Sequence, residues 1–296
     1  MSFALHSNET PTPMGADWDF MTSSSLRDQV VVITGGARGI GYATARTLIE
    51  RGARVAIGDI DETRLLAAAD ALGLEVTGRL DVTDIESFSA FYSMVSERLG
   101  TPHALINNAG IMPVGPTLEE PEEVAHRMVD INLHGVITGT KIALASMLPR
   151  GSGHIVNVAS MAGEAFVPGA ATYCATKAAV IAFTEAVRLE HRTSGVSVSL
   201  VLPTFTNTEL VAGTTGPRGF RNAEPEEIAN AVAGLLERPR ARTYVTRVMG
   251  QVLAAQRFMP RSMAEGLARR LGGEQMFLAG VDPSAREAYE ERARKS

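Results

Sequence analysis

Between residues 27 and 202, short runs rich in β-branched residues alternate with longer segments of helical period. Each short run is apolar almost throughout, which is typical of strands buried on both faces. Regular alternation of such strands with helices predicts a parallel sheet, right-handed crossovers and helices on both faces, that is, one doubly wound α/β domain. The predicted strands are 30–34, 54–59, 75–81, 104–107, 153–160 and 196–202, and the predicted helices are 40–51, 62–72, 85–99, 121–148 and 173–192.

The two ends of the chain do not follow this alternation. At roughly 150 residues per domain, 296 residues would suit one large domain or two smaller ones. The first 26 residues mix polar residues and proline without a period, and we expect a mobile arm. A last strand is predicted over 244–248, followed by helices over 262–271 and 283–295. We therefore expect an arm at 1–26, the doubly wound domain at 27–249 and a helical extension at 250–296.

Composition excludes several classes of protein. The 28 Lys and Arg residues against 33 Asp and Glu give a net charge of −5, which argues against a dedicated nucleic-acid binder. No stretch approaches the roughly 18 uninterrupted apolar residues of a membrane span. The single cysteine, Cys174, rules out an intramolecular disulfide and a cysteine-based zinc site, and the six histidines have no metal-ligand spacing. We expect no metal and a reducing, cytoplasmic location.

The first predicted strand runs directly into a glycine-rich loop, TGGARGIG, at residues 34–41. Glycines at Gly35, Gly39 and Gly41 differ in spacing from the usual Gly-x-Gly-x-x-Gly fingerprint. Backbone without a Cβ would still let a pyrophosphate approach the N-terminus of the next helix, where free N–H groups favour anions. A tight turn that needs positive φ would explain the same glycines without any ligand.

Asp59 ends the second predicted strand, 24 residues after Gly35, near the spacing expected of the carboxylate that binds adenosine ribose hydroxyls. A carboxylate at this point would repel a 2′-phosphate, and the next residue, Ile60, supplies no offsetting cation. Arg38 in the loop favours the opposite choice, because a guanidinium there would reach a 2′-phosphate. We give Asp59 more weight and expect NAD, with NADP as the alternative; a polar residue at a strand end is the simpler explanation of Asp59.

Tyr173 and Lys177 lie four positions apart, so on a helix they share a face. A nearby ammonium favours the phenolate of a tyrosine whose usual pKa is about 10. Ser160 precedes Tyr173 by 13 residues and follows a strand, which places its hydroxyl at the sheet edge where ligands bind in open α/β folds. No Gly-x-Ser-x-Gly elbow surrounds Ser160, which argues against a hydrolase. A surface Tyr/Lys pair is the alternative.

Together these motifs resemble the short-chain dehydrogenase/reductase family. The resemblance spans about residues 26–248 and includes, in the family's order and approximate spacing, TGGARGIG, Asp59, Asp81 with Val82, NNAG at 107–110, Asn132, Ser160, Tyr173 and Lys177. One departure follows the sixth strand, where the family has Pro-Gly and this chain has Pro203 and Thr204. Threonine is less permissive in φ than glycine, so the pocket is expected to differ there.

The resemblance implies a role for each matching residue. Tyr173 would be the general acid/base, Lys177 would lower its pKa and bind the nicotinamide ribose, Ser160 would orient the substrate oxygen, and Asn132 would hold a water in a proton relay. For Asn107 and Asn108 a satisfied turn is as good an explanation as contact with the cofactor. The full set expected to bind the cofactor is Gly35, Arg38, Gly39, Ile40, Gly41, Asp59, Asp81, Val82, Asn108, Ala109, Gly110, Tyr173, Lys177, Pro203 and Thr208.

The sequence thus predicts an NAD-dependent oxidoreductase that acts on a hydrophobic secondary alcohol or ketone, of lipid, retinoid or steroid type. An apolar wall is expected from Met112, Met161, Phe166 and Phe205. The alternatives are an NADP-dependent carbonyl reductase and a catalytically silent dinucleotide-binding regulator. We expect a homodimer or homotetramer. The alternatives for the C-terminal extension are that it covers the active-site mouth, packs on a partner subunit or lies on a membrane surface, and a plain packed helix is the preferred interpretation.

Overall fold

Seven parallel strands form one sheet in the order β3-β2-β1-β4-β5-β6-β7. The computed structural model describes residues 25–296 apart from 166, 217–218, 257–258, 271, 273–274 and 296. The order reverses between β1 and β4, the point at which open α/β sheets bind ligands beyond the carboxyl ends of their strands. The strands are β1 (Val30–Thr34), β2 (Arg54–Asp59), β3 (Val76–Arg79), β4 (Ala104–Asn107), β5 (Gly153–Val158), β6 (Val196–Pro203) and β7 (Arg242–Val245).

Helices cover both faces of this sheet, as the alternation in the sequence predicts. The helices are α1 (Gly39–Glu50), α2 (Glu62–Leu72), α3 (Ile85–Leu99), α4 (Glu122–Val129), α5 (Gly135–Met147), α6 (Ala171–Glu190), α7 (Pro225–Glu237), α8 (Arg247–Gln256), α9 (Arg261–Arg270) and α10 (Pro283–Lys295). Between α4 and α5 lies a π-helical turn, Asp130–His134, with helical backbone at both of its ends.

Two buried apolar layers hold the helices to the sheet. On one face α1, α2 and α7 pack on the sheet through residues such as Leu48, Leu65 and Val232. On the other face α3, α5 and α6 contribute Phe88, Met147 and Val187 among others. Burial on both sides explains why the strand sequences are continuously apolar. Leu26, which lies in the expected N-terminal arm, is 2% exposed and belongs to the first layer; residues 1–24 of that arm lie outside the described residues.

The predicted last strand, 244–248, was wrong at its C-terminal end. β7 ends at Val245, which pairs with Pro203, the last residue of β6. Beyond Pro203 no strand residue remains for Val248 to pair with, and Val248 lies instead on α8 with 59% of its surface exposed. The β-branched Val248 had suggested a strand, although the Met, Leu and Ala around it favour a helix.

Two helices, α7 and α8, are absent from the sequence prediction, and the predicted helix 121–148 is interrupted by the π-helical turn. α7 carried a recognisable start: Pro225 is its first residue, and the side chains and backbone of Glu224 and Glu227 form a capping box. Among the described helices, none has the length and apolarity required to cross a bilayer.

Candidate active site

A cleft with a volume of about 370 Å³ opens at the carboxyl ends of the strands. Its walls come from the loop between β1 and α1, the ends of β2, β4, β5 and β6, the start of α6, and the C-terminal segment. Fifteen of the residues singled out in the sequence line it: Gly35, Arg38, Gly39, Ile40, Asp59, Asp81, Val82, Asn108, Ala109, Gly110, Ser160, Tyr173, Lys177, Pro203 and Thr208. Gly41 and Asn132 lie behind this lining.

The glycines of the loop are required by close backbone approach. Gly35 has φ of +65°, and a Cβ there would lie 2.9 Å from the Cα of Ala109. A Cβ on Gly41 would overlap the carbonyl oxygen of Gly35. α1 begins within this segment, at Gly39, and its N-cap residue, Arg38, makes no side-chain capping hydrogen bond. The loop therefore presents uncapped N–H groups along a narrow backbone surface, which fits the pyrophosphate of a dinucleotide.

The NNAG segment fastens the end of β4 to the glycine loop. The Asn108 side-chain amide donates to the carbonyl oxygens of Thr34 and Gly35, both at 3.0 Å. The Thr34 hydroxyl accepts from the backbone N–H groups of Asn108 and Ala109. Asn107 donates to Asn157 at 2.8 Å inside the sheet. Asn108 and Thr34 therefore hold the glycine loop to the end of β4, whereas Asn107 ties β4 to β5; contact of Asn108 with the cofactor stays a prediction.

At the end of β2, both carboxylate oxygens of Asp59 accept backbone hydrogen bonds. Oδ2 accepts from the N–H of Ala37 and Oδ1 from the N–H of Asp61, each at 3.1 Å. Asp59 is only 6% exposed, yet it lines the cleft. Its negative charge is thereby held beside the glycine loop in a fixed orientation.

Two arginines beside Asp59 are paired with acids from elsewhere in the chain. Arg38 lies 3.3 Å from Glu209 and 3.6 Å from Asp61, and Arg64 lies 2.6 Å and 3.6 Å from the same two carboxylates. Arg292 of α10 adds a third contact to Glu209 at 2.6 Å. Burial by itself would raise the pKa of Glu209, but the hydrogen bond from Arg64 and the three arginine charges hold it below its usual value.

Tyr173 lies near the start of α6, and Ser160 follows β5 as the N-cap of a short 3-10 turn. The Ser160 hydroxyl accepts the N–H of Ala162 at 3.1 Å. Burial raises the pKa of the Tyr173 phenol to about 12, while hydrogen bonding by Ser160 lowers it and the neighbouring Cys174 raises it. The chain alone therefore keeps this phenol protonated and able to donate at neutral pH.

Lys177 lies one helical turn after Tyr173 and is 4% exposed. Its ammonium donates to the carbonyl oxygen of Val158 at 3.0 Å and lies 5.7 Å from the centre of the Tyr173 ring. Burial lowers the pKa of Lys177 to about 8. The helical spacing predicted that the two side chains share a face, and both line the cleft.

Asn132 is fully buried in the π-helical turn. Its side chain accepts from the N–H of Ile111 at 2.8 Å, donates to the carbonyl of Ile111 at 2.9 Å and donates to Thr176 at 3.2 Å. Both backbone groups of Ile111 are thus held by one amide. Asn132 positions the segment after β4, and a water held by this residue stays a prediction.

Asp81 and Val82 border the cleft after β3. The Asp81 carboxylate accepts from the backbone and hydroxyl of Thr83, at 3.0 and 2.7 Å, while Val82 lies against Gly135. After β6, Thr204 donates its N–H to Val245 at 2.6 Å. Among the described residues, Asp28 is the one non-glycine residue with positive φ, so Thr204 occupies the family's glycine position without left-handed backbone.

The far end of the cleft is apolar. Met112, Met161 and Phe205 line it as predicted, and Phe166 lies outside the described residues. Sequence analysis missed further lining residues, and many of them lie beyond 248, in a segment for which covering the active-site mouth was one of several expected roles. Phe277 stacks on Phe205 with ring centres 5.3 Å apart. The missed lining residues beyond 248 are Met249, Val252, Met276, Phe277, Tyr289, Arg292 and Ala293.

The segment beyond 274 is joined to the cleft by a buried arginine, Arg286, which is 2% exposed. Its guanidinium donates to three backbone carbonyls, those of Met112 at 2.8 Å and of Leu210 and Ala212 at 3.1 Å each. The fourth donor, Nε, contacts Glu290 on the same helix at 2.9 Å. One side chain of α10 therefore fixes both loops that border the cleft.

Known proteins are similar to this chain over the part that forms most of the cleft. The family model described as short chain dehydrogenase matches residues 29–218. The cis-4-hydroxycyclohexanecarboxylate dehydrogenase of Sinomonas cyclohexanicum is 38% identical over 246 residues, which cover 78% of this chain and 96% of that protein.

Two mycobacterial proteins are also similar. The putative oxidoreductase SadH of Mycobacterium tuberculosis is 41% identical over 171 residues, which cover 56% of this chain and 62% of that protein. The probable oxidoreductase EphD of the same organism is 31% identical over 260 residues, 80% of this chain and 44% of EphD. The chain therefore spans less than half the length of EphD.

Proposed function

The chain belongs to the short-chain dehydrogenase family, and we propose that it transfers a hydride between NAD and a hydrophobic secondary alcohol or ketone. The observation that carries this proposal is the position of Ser160, Tyr173 and Lys177 in the same cleft as the glycine loop and the apolar wall. The nicotinamide dinucleotide supplies or accepts the hydride when bound. The protein's own residues supply the proton and orient the substrate.

In the reducing direction, the Tyr173 phenol donates its proton to the carbonyl oxygen as that oxygen becomes negative. A phenol with a pKa near 12 is fully protonated at neutral pH, as a donor must be. Ser160 contributes a second hydrogen bond to the same oxygen. In the oxidising direction Tyr173 must accept a proton, and the proposal that Lys177 lowers its pKa for this purpose rests on their shared position in the cleft.

The proposal of NAD over NADP rests on charge at the end of β2. The buried carboxylate of Asp59 lies where a ribose 2′-hydroxyl would be accepted and a 2′-phosphate repelled. The cations that would offset this repulsion, Arg38 and Arg64, are paired with Asp61 and Glu209. NADP is the second candidate, favoured by the presence of two arginines at this point.

The proposed substrate class rests on the apolar wall. Methionines 112, 161, 249 and 276, together with the stacked rings of Phe205 and Phe277, form an adaptable surface suited to a ring or chain of carbon. The relative named for cis-4-hydroxycyclohexanecarboxylate supports a ring that carries a secondary alcohol. A catalytic domain at 27–249, an extension at 250–296, a homodimer or homotetramer, and a cytoplasmic location belong to the same proposal.

The decisive experiment compares the wild type with Tyr173→Phe. Turnover of a panel of cyclic and linear secondary alcohols is measured with NAD⁺ and with NADP⁺, and binding of NADH and NADPH is followed by their fluorescence. We expect wild-type turnover with NAD⁺, at least a 1,000-fold loss in the variant (order of magnitude), and NADH binding within about 2-fold of wild type.

Three outcomes would contradict the proposal. Substantial turnover by Tyr173→Phe would exclude Tyr173 as the proton donor. Faster turnover with NADP⁺ would support the second candidate cofactor. Dinucleotide binding without turnover of any alcohol or ketone would support a silent regulator.

A further inference from the structure

Tyr289 of α10 carries a polar atom into the apolar end of the cleft. Its ring lies in the lining beside the methionines and packs against the buried apolar layer that includes Met112 and Phe277. The Arg286 guanidinium lies over this ring, 4.9 Å from its centre, on the same face of the helix. The ring is thus fixed between the helix's own arginine and the cleft.

The Tyr289 hydroxyl acts as an acceptor in the one hydrogen bond that the structure gives it. The backbone N–H of Met112 donates to Oη at 2.7 Å. A phenol that accepts at its oxygen still has its own proton to donate. Within the described part of the chain, no acceptor lies in hydrogen-bonding distance of that proton. Tyr289 is half-buried, and once a substrate excludes water from the cleft, a phenol with its donor unused costs free energy compared with phenylalanine in the same wall.

The Tyr289 hydroxyl stays protonated over the whole physiological range. Burial raises the pKa of this phenol well above its usual value; the Met112 hydrogen bond and the Arg286 charge lower it, while the charges of Glu290 and Tyr173 raise it. The influence of Tyr173 also indicates that the two phenols lie in one electrostatic environment. The cleft therefore has one phenol at its reactive centre and a second on the wall built by α10.

We propose that Tyr289 is a specificity-determining residue whose hydroxyl donates a hydrogen bond to a second oxygen of the substrate, distant from the carbon that is oxidised or reduced. This rests on the proposed function. The preferred substrate is then a largely apolar secondary alcohol or ketone that carries an additional acceptor oxygen, such as an ether, ester or carbonyl oxygen. The Met112 N–H, the packing of the ring and Arg286 fix the direction of the donor.

The test uses two pairs of alcohols, and the two members of each pair differ at one atom. 4-Methoxycyclohexanol has an ether oxygen where 4-ethylcyclohexanol has a methylene group, and the 3-substituted pair moves that atom to a different distance. Values of kcat and KM are measured with NAD⁺ for the wild type and Tyr289→Phe. We expect the variant to lower kcat/KM for one methoxy alcohol by about 3- to 10-fold, mainly through KM, and to leave its ethyl partner within about 2-fold.

Tyr92→Phe is the matched control, because Tyr92 is also a buried phenol but lies on α3 and does not line the cleft. It should leave the ratio of methoxy to ethyl kcat/KM unchanged. Melting curves establish that each variant is folded. If Tyr289→Phe is not folded, the ratio of methoxy to ethyl kcat/KM is measured in Tyr289→Leu instead. An equal loss on both members of each pair, or an unchanged ratio in both pairs, would overturn the proposal and reduce Tyr289 to a packing residue.

A binding arm separates this inference from the proposed function. Affinities of the same alcohols are measured by calorimetry for protein loaded with NADH, with which an alcohol does not react. Tyr289→Phe should weaken the methoxy alcohol by about 3- to 10-fold relative to its ethyl partner. If Tyr289→Phe weakens binding of the methoxy alcohol but the wild type turns over no alcohol, the proposed reaction is refuted and the Tyr289 subsite stands. If the wild type turns over the alcohols but Tyr289→Phe leaves the ratio of methoxy to ethyl affinity unchanged, the subsite is refuted and the proposed reaction stands.

Discussion

Replacing Arg286 by methionine tests whether α10 is an integral part of the active-site architecture. The change keeps most of the aliphatic stem and removes the guanidinium, which donates to the carbonyls of Met112, Leu210 and Ala212. Hydrogen bonds from a charged donor contribute about 1.5–3 kcal/mol each, but they are not additive. Removing one partner of a buried charged network costs about 3–5 kcal/mol, and Arg286 is 2% exposed, so solvent screening does not reduce this figure.

The loss is expected to appear as local opening, because α10 can leave the cleft while the seven-stranded sheet stays folded. Hydrogen exchange measured by mass spectrometry reports this opening at each segment. At about 1.4 kcal/mol per factor of ten, a loss of 3–5 kcal/mol accelerates exchange by at least about 100-fold in α10 and in the loop after Thr208. Exchange in β1, β4 and β5 should remain close to wild type.

Arg294→Met is the matched control, since Arg294 lies on the same helix but is exposed. It removes an arginine without removing hydrogen bonds to the loops. Exchange in α10 should then stay near the wild-type rate. If hydrogen exchange in α10 is as slow in Arg286→Met as in the wild type, α10 and the two loops that it contacts do not form one cooperative unit. If Arg286→Met and Arg294→Met accelerate this exchange equally, the effect comes from net charge alone.

Two further predictions concern the glycine loop and the buried lysine. Gly41→Ala places a methyl group against the Gly35 carbonyl and should weaken NADH binding at least about 10-fold, as measured by fluorescence. Gly73→Ala is the control: its added Cβ has no neighbouring atom within 4 Å, but φ of +63° strains alanine, so this variant should lower stability and leave NADH binding unchanged. Burial lowers the pKa of Lys177 from its ordinary value of 10.5 to about 8. Between pH 8 and 10 the Lys177 side chain is protonated in the unfolded chain and neutral in the folded chain. The free energy of unfolding of the wild type therefore rises with pH, by about 2–3 kcal/mol over these two pH units. Urea unfolding of Lys177→Met should lack that rise; parallel pH dependences would disprove it.

The parts of the fold that sequence predicted well are those fixed by local chemistry. β1, β2 and β4 have the predicted bounds because their apolar runs are interrupted by polar or glycine residues on both sides. α2 also has its predicted bounds, because the Asp61 side chain caps its first turn and Gly73 ends the helix with a φ of +63°. The positions of Ser160, Tyr173 and Lys177 follow directly, because each is placed by one strand end or one helix.

The missed parts depend on contacts between distant segments. The hydrogen bond between Arg286 and Met112 joins residues 174 positions apart, and that between Arg64 and Glu209 joins residues 145 apart. Neither distance leaves a periodic pattern in the sequence. The C-terminal segment in particular looked like an amphipathic tail with several possible uses. Only the burial of Arg286 and Phe277, together with the contacts of Tyr289, distinguishes the use in which the tail completes the cleft.

The missed contacts also change the argument about cofactor choice. From sequence, Asp59 was weighed against a single unpaired cation, Arg38. The structure places a second arginine, Arg64, near Asp59, which would strengthen the case for a 2′-phosphate. It also pairs Glu209 with both Arg38 and Arg64, and the pKa of Glu209 is held low, so that this carboxylate keeps its charge. Because two cations then face Glu209 and Asp61 as well as Asp59, a 2′-phosphate would have to displace existing ion pairs before it gained any attraction. The proposed preference for NAD accordingly depends on the ion pairs of Glu209 as much as on the Asp59 carboxylate.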